Sequence, residues 1–69
     1  MDIRNMVEFL VKKGLTEDAI AKQINAHQST VSRILSGRIK DPRASIALGI
    51  VALFENVQQK VRPGLEVVH

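Results

Sequence analysis

Leu15-Thr16-Glu17-Asp18-Ala19-Ile20-Ala21-Lys22-Gln23-Ile24-Asn25-Ala26-His27-Gln28-Ser29-Thr30-Val31-Ser32-Arg33-Ile34-Leu35-Ser36-Gly37 is the stretch that decides the fold. It divides into two short amphipathic segments joined by a corner of three residues, Asn25 to His27. Thr16 is a good N-cap, and Glu17 and Asp18 follow it in the first turn, where carboxylates suit the positive end of a helix dipole. The spacing predicts a helix to about Ile24, with Ile20 and Ile24 turned inward and Ala21 small enough to admit another helix. Asn25 tolerates positive φ better than most residues, which suits a corner. A second helix is expected from about Gln28 to Ser36, closed by Gly37. On a helical wheel Val31, Ile34 and Leu35 form its apolar face, with Gln28, Ser29, Ser32, Arg33 and Ser36 opposite. Every side chain on that polar face can hydrogen-bond, and Arg33 is its single charge. A face needing only solvation would more often carry Glu and Lys.

The flanking segments are also helical in pattern. Asp2 can cap a helix to about Lys13, in which Ile3, Met6, Val7 and Leu10 make one apolar stripe. Lys12 and Lys13 favour its negative end, and Gly14 stops it. Phe9 and Val11 lie off the stripe and either widen the buried face or meet a partner. Beyond Gly37 comes a basic loop, Arg38 to Arg43, in which Pro42 suits a helix's first turn. A long helical pattern runs from about Arg43 to Lys60, weakened only by Gly49. It carries two apolar stripes: Ala44, Ala47, Leu48, Val51 and Phe54, then Ile46, Ile50, Leu53, Val57 and Val61. A monomer's surface helix needs only one. The second stripe is therefore expected to form a dimer interface or to be covered by the tail. Pro63-Gly64 ends the helix, and Leu65 to Val68 reads as a short extended segment.

Length and charge narrow the function. A chain of 69 residues is expected to be one domain. It has no cysteine, so neither a disulfide nor a thiolate metal site reinforces so small a core. The longest unbroken apolar run, Ile50 to Phe54, is too short to span a bilayer, and no signal peptide is evident. We expect a soluble intracellular domain. The formal net charge is +3, and residues 27–43, with Arg33, Arg38, Lys40 and Arg43 against Asp41, carry an excess of that same size. Concentrated positive charge is the footprint of a polyanion-binding face. On charge alone, a merely solvated surface stays open as the alternative.

These residues carry a resemblance. Leu15-Thr16 opening the unit, Ala21 in mid-helix, then Gln28-Ser29-Thr30-Val31-Ser32-Arg33-Ile34 and Gly37 resemble the Cro/repressor-type (XRE-like) helix-turn-helix family. Phage repressors, Cro proteins and many bacterial regulators belong to it. The resemblance covers about residues 3–54, including the Pro42-Arg43 loop and the apolar helix after it. It implies an all-α, lambda-repressor-like bundle of four or five helices. The last fifteen residues match nothing in the family; the DNA-binding domain is expected over residues 1–61, with residues 62–69 a tail that either contributes to dimerisation, folds back or binds another protein. The resemblance also implies a repressor in the bacterial cytoplasm. Such a protein binds a pseudo-palindromic operator in double-stranded DNA as a homodimer, with its recognition helix in the major groove.

Carried over by position, Gln28, Ser29 and Arg33 would face base edges. Gln pairs bidentately with adenine and Arg with guanine. His27, Thr30 and Ser32 would touch phosphate or sugar, and Arg38, Lys40 and Arg43 would grip the DNA backbone. Three departures matter. Glu17 stands where the family usually places a phosphate-bonding Gln, so that contact is not expected here. Asn25 replaces the usual corner glycine. Leu35 replaces a common acidic residue whose partner position on the first helix is Leu10, so an apolar contact is expected in place of an ion pair.

Two other function classes compete. A protein-interaction module, such as an antitoxin whose C-terminal segment binds a partner protein, would use the same scaffold. An RNA-binding role is disfavoured because the chain has no Tyr or Trp and only two Phe to stack on bases. Neither His27 nor His69 has companions at metal spacing, so no metal or other cofactor is expected. The acidic residues are scattered, with no nucleophile arrangement and no Gly-rich phosphate loop, so an enzyme is not expected.

Overall fold

Four helices arise where apolar spacing and end signals agree. The computed structural model describes the backbone of residues 2–60 and side chains as far as Gln58. In order the helices are α1 (Ile3–Lys12), α2 (Glu17–Gln23), α3 (Gln28–Ser36) and α4 (Ala44–Lys60), and among the described residues there is no strand. The fold is all-α, as expected. The tail from residue 62, the extended segment at Leu65 to Val68, and Val61 lie outside the described residues.

The chain reverses direction where the sequence marks it. The Asn5 N–H donates to Asp2 Oδ1 at 2.9 Å, and the Ala19 N–H donates to Thr16 Oγ1 at 3.0 Å, capping α1 and α2. Gly14 and Gly37 take positive φ, 104° and 87°, at the ends of α1 and α3. Asn25 does so at 59° in the corner. That corner is one residue longer than expected, because α2 ends at Gln23 and Ile24 caps it with ψ near zero. The Ala26 N–H then donates to the Ala21 carbonyl at 2.8 Å, which pins the corner against α2. Pro42 lies just before α4 rather than within its first turn. The Arg43 carbonyl accepts from the N–H groups of both Ile46 and Ala47 at 3.0 Å.

The core is one apolar cluster fed by all four helices: Val7 and Leu10, Ile20, Ala21 and Ile24, Val31 and Ile34, and Ile50. Among the described residues no polar or charged side chain is buried. Each large aliphatic side chain enclosed here contributes about 1.5–3 kcal/mol of transfer free energy. The two ion pairs described, Arg4–Glu8 at 3.6 Å and Lys22–Asp18 at 3.4 Å, are exposed pairs within one helix and add only about 0.3–0.5 kcal/mol each. Leu10 is enclosed and Leu35 packs on the same cluster, so α1 meets α3 through apolar groups.

The rotation of α4 corrects one expectation. Ile46, Ile50, Leu53 and Val57 are expected to meet a second subunit or the tail, yet Ile50 is fully enclosed by its own chain and the other three, half-buried, pack on the core. Leu48, from the opposite stripe, is 69% exposed. Both stripes satisfy helical spacing, so periodicity could not choose between them. Contacts with the other helices choose. The α4 backbone comes so close to α2 that a Cβ on Gly49 would sit 3.0 Å from Ile24 Cβ. On the other flank the Phe9 and Phe54 rings meet edge to face, 4.9 Å between centroids, with Lys13 Nζ 5.3 Å above Phe9. Phe9 therefore widens the buried face, whereas Val11 stays 39% exposed.

Gly49 thus has a packing role that outweighs its poor helix propensity. Gly49→Val should force α4 away from Ile24 and lower stability by about 1–3 kcal/mol, the usual cost of overpacking. A thermal midpoint equal to that of the parent chain would show that the approach at Ile24 is not tight.

Candidate nucleic-acid interface

The apolar side of α3 holds the helix in place through Val31 and Ile34, which leaves its polar side clear of the core. Gln28, Ser29, Ser32, Arg33 and Ser36 line one shallow, open depression together with Arg38 from the following loop. Gln28, Ser29, Arg33 and Arg38 are exposed and Ser32 is half-buried. The three residues expected to face base edges are therefore neighbours on one rigid surface. The Ser36 hydroxyl turns back to donate to the Arg33 carbonyl at 3.1 Å, tightening the end of the helix.

The expected backbone contacts fall into separate groups. His27, Thr30 and Arg43 share an open cleft between the corner and the start of α4, with Asp41 on its rim. Arg38 stays with the polar face of α3. Lys40 stands apart, in a recess beside Asp2, Arg4 and Gly37 near the start of α1. The loop carrying these cations is held by a residue the sequence did not single out. Ile39 packs on the core, and its N–H donates to the Arg33 carbonyl at 3.1 Å. A lone apolar residue between Arg38 and Lys40 was the available signal.

The first turn of α3 differs from those of α1 and α2. His27 occupies the N-cap position with extended backbone, φ −85° and ψ 148°, but its side chain makes no capping hydrogen bond. The positive end of this helix therefore opens beside Thr30 and Arg43, where an anion is electrostatically favoured.

Sequence reasoning also missed a side-chain contact. Gln28 Nε2 donates to Glu17 Oε1 at 2.8 Å, joining the first residues of α2 and α3. The sequence marks Glu17 as a first-turn carboxylate and a poor phosphate partner, and nothing in the local pattern reports a contact across the corner. Among the described residues no group of three His, Cys, Asp or Glu side chains could hold a metal ion. No described helix is long and apolar enough to cross a membrane.

No protein-family model matches the chain, and no solved structure matches it significantly. Over 49 residues it is 37% identical to "Putative protein P2" of Acyrthosiphon pisum secondary endosymbiont phage 1. The aligned stretch is 71% of this chain and 52% of that protein, so the chain spans about half the length of the curated relative it matches. The chain is thus similar to a phage protein whose name assigns no activity.

The open N-cap gives a direct test of how α3 is used. His27→Ser should supply the missing acceptor and raise stability by about 0.5–1 kcal/mol, as N-cap serines do. An unchanged or lower thermal midpoint would mean that the His27 side chain already stabilises this turn in another way.

Proposed function

We propose that the chain is a sequence-specific DNA-binding regulator, a repressor of phage or prophage type, in which α2, the corner and α3 act as a helix-turn-helix. One observation carries this reading. A helix fixed by apolar packing presents Gln28, Ser29 and Arg33 side by side to solvent, next to Arg38, within the stretch that holds the positive excess. Side chains that can bond a base edge twice, Gln28 as donor and acceptor and Arg33 as a double donor, suit the major groove, and flanking cations suit phosphates. The similarity to a phage protein supports the phage setting. Under this reading the protein acts by occupying an operator and excluding the transcription machinery.

The same reading takes the protein to be a homodimer on a pseudo-palindromic site, with the centres of its recognition helices about 34 Å apart, one DNA turn. With Ile50 committed to the core, pairing falls to the outer side of α4. There Leu48 is the most exposed large apolar side chain among the described residues. Leu48→Glu should shift sedimentation from dimer to monomer while leaving the helical content unchanged. Sedimentation as a dimer with Glu at this position would place the pairing surface elsewhere.

Selection of bound sites from random duplex DNA at physiological salt tests the function itself. A palindromic motif is expected, and the absence of any enriched motif would remove the DNA-reading role in favour of a protein-interaction module. Within that motif Arg33→Ala should cost about 1–3 kcal/mol and relax preference at one base pair. Arg43→Ala should weaken all duplexes alike and reduce the dependence of log affinity on log salt by about one. Equal, sequence-independent losses from both substitutions would remove base reading by Arg33.

A further inference from the structure

We infer that Arg38 reads a base pair, so that the reading surface runs past the end of α3 into the loop. This rests on the DNA-reading function proposed above. The resemblance groups Arg38 with Lys40 and Arg43 as cations that grip phosphates, but the structure divides the three. Arg43 borders the cleft at the corner, and Lys40 lies in the recess beside Arg4. Arg38 instead lines the same depression as Gln28, Ser29, Ser32, Arg33 and Ser36, which is the polar face of α3 itself.

The backbone explains how a loop residue comes to stand there. Gly37 takes φ 87°, which ends the helix and turns the chain. One residue beyond Arg38, the Ile39 N–H donates to the Arg33 carbonyl at 3.1 Å, and the Ile39 side chain packs on the core. Arg38 is therefore held between a fixed turn and a fixed anchor, next to the last turn of α3. Packing places its backbone, as packing places the backbone under Gln28 and Arg33.

The side chain is available as well. Arg38 is exposed, and among the described residues its guanidinium makes no ion pair and no side-chain hydrogen bond. A phosphate needs only a nearby positive charge, which a lysine or arginine on a rim supplies. A planar fork with a fixed root can do more, because it can bond guanine N7 and O6 together. The depression then carries two such forks, Arg33 and Arg38, and calls for two separate guanines. Their order follows from the chain. Gln28 starts α3, Arg33 lies about 7.5 Å further along its axis, and Arg38 stands beyond its end. The pair read by Arg38 therefore lies on the far side of the Arg33 pair from the Gln28 pair.

Equilibrium binding to the selected operator, to its single-base-pair variants and to an unrelated duplex, each at several salt concentrations, tests the inference. Gln28→Ala and Arg33→Ala first mark the pairs those residues read. Arg38→Ala should then erase preference at a further pair, a G·C beyond the Arg33 pair. Discrimination there should fall about fivefold or more, the lower end of what a bidentate contact provides. Preference at the Arg33 pair should stay as in the parent protein. Arg38→Lys keeps the charge without the fork, so it should retain the parent's salt dependence while losing discrimination at that same further pair.

Equal weakening of every duplex by Arg38→Ala, with discrimination intact, would overturn the inference and return Arg38 to the backbone cations. So would Arg38→Lys that discriminates as well as the parent. A preference lost only at the Arg33 pair would also reject it, because it marks support of Arg33 and not a second reader. Since Arg38 is exposed and unpaired, its variants should keep the parent's thermal midpoint. If Arg38→Ala does not, Arg38→Lys decides alone. A parent protein with no base preference anywhere is a different result, because it rejects the DNA-reading function as a whole.

Discussion

The seating of α3 against α2 and α1 is the contact on which the rest of the structure depends. Val31 and Ile34 enter a cluster with Ile20 and Ala21, Val7 and Leu10, and Ile50, and no polar side chain among the described residues enters with them. With no cysteine in the chain, apolar burial has to hold four short helices together. Isolated helices of this length are marginal in water, so each depends on the shared core. The polar side of α3 takes no part in that core. Its residues are left available for recognition, and the backbone beneath them is fixed by packing they do not supply.

Charge is distributed to match. The acidic residues of α2 sit at its N-terminus, where they support the helix dipole and where Glu17 reaches Gln28. The basic residues follow α3, on a loop that Ile39 fastens to the core. Arg38 and Arg43 border the polar face and the open start of α3, whereas Lys40 faces the region of α1. A basic loop would be a poor gripping element if it were free to swing. The Ile39 anchor and its hydrogen bond to Arg33 tie the loop to α3 and keep Arg38 on the same surface as Gln28, Ser29 and Arg33.

The last helix is fixed by packing on two flanks. The near approach of Gly49 to Ile24 and the edge-to-face pair of Phe9 and Phe54 hold α4 at one rotation. That rotation commits Ile50 to the core and turns Leu48 to solvent. One aliphatic stripe is used for folding, and part of the other is left over. An exposed leucine in so small a protein costs solubility without contributing to the core, and the proposed dimer would cover it.

Much of this was legible in the residues alone. Caps, stops and corners are local, so Asp2, Thr16, Gly14, Asn25 and Gly37 marked the helix ends to within a residue. The two faces of α3 followed from helical spacing, and with them the grouping of Gln28, Ser29, Ser32 and Arg33. Tertiary structure decided what local chemistry leaves degenerate. Two stripes of equal periodicity on α4 differ only in how α1 and α2 meet them, and that rests on a missing Cβ at Gly49 and an aromatic pair 45 residues apart in sequence. The separation of Lys40 from the other cations depends on where Ile39 lands. The bond between Glu17 and Gln28 crosses the corner, and only the angle between two packed helices brings the carboxylate and the amide together.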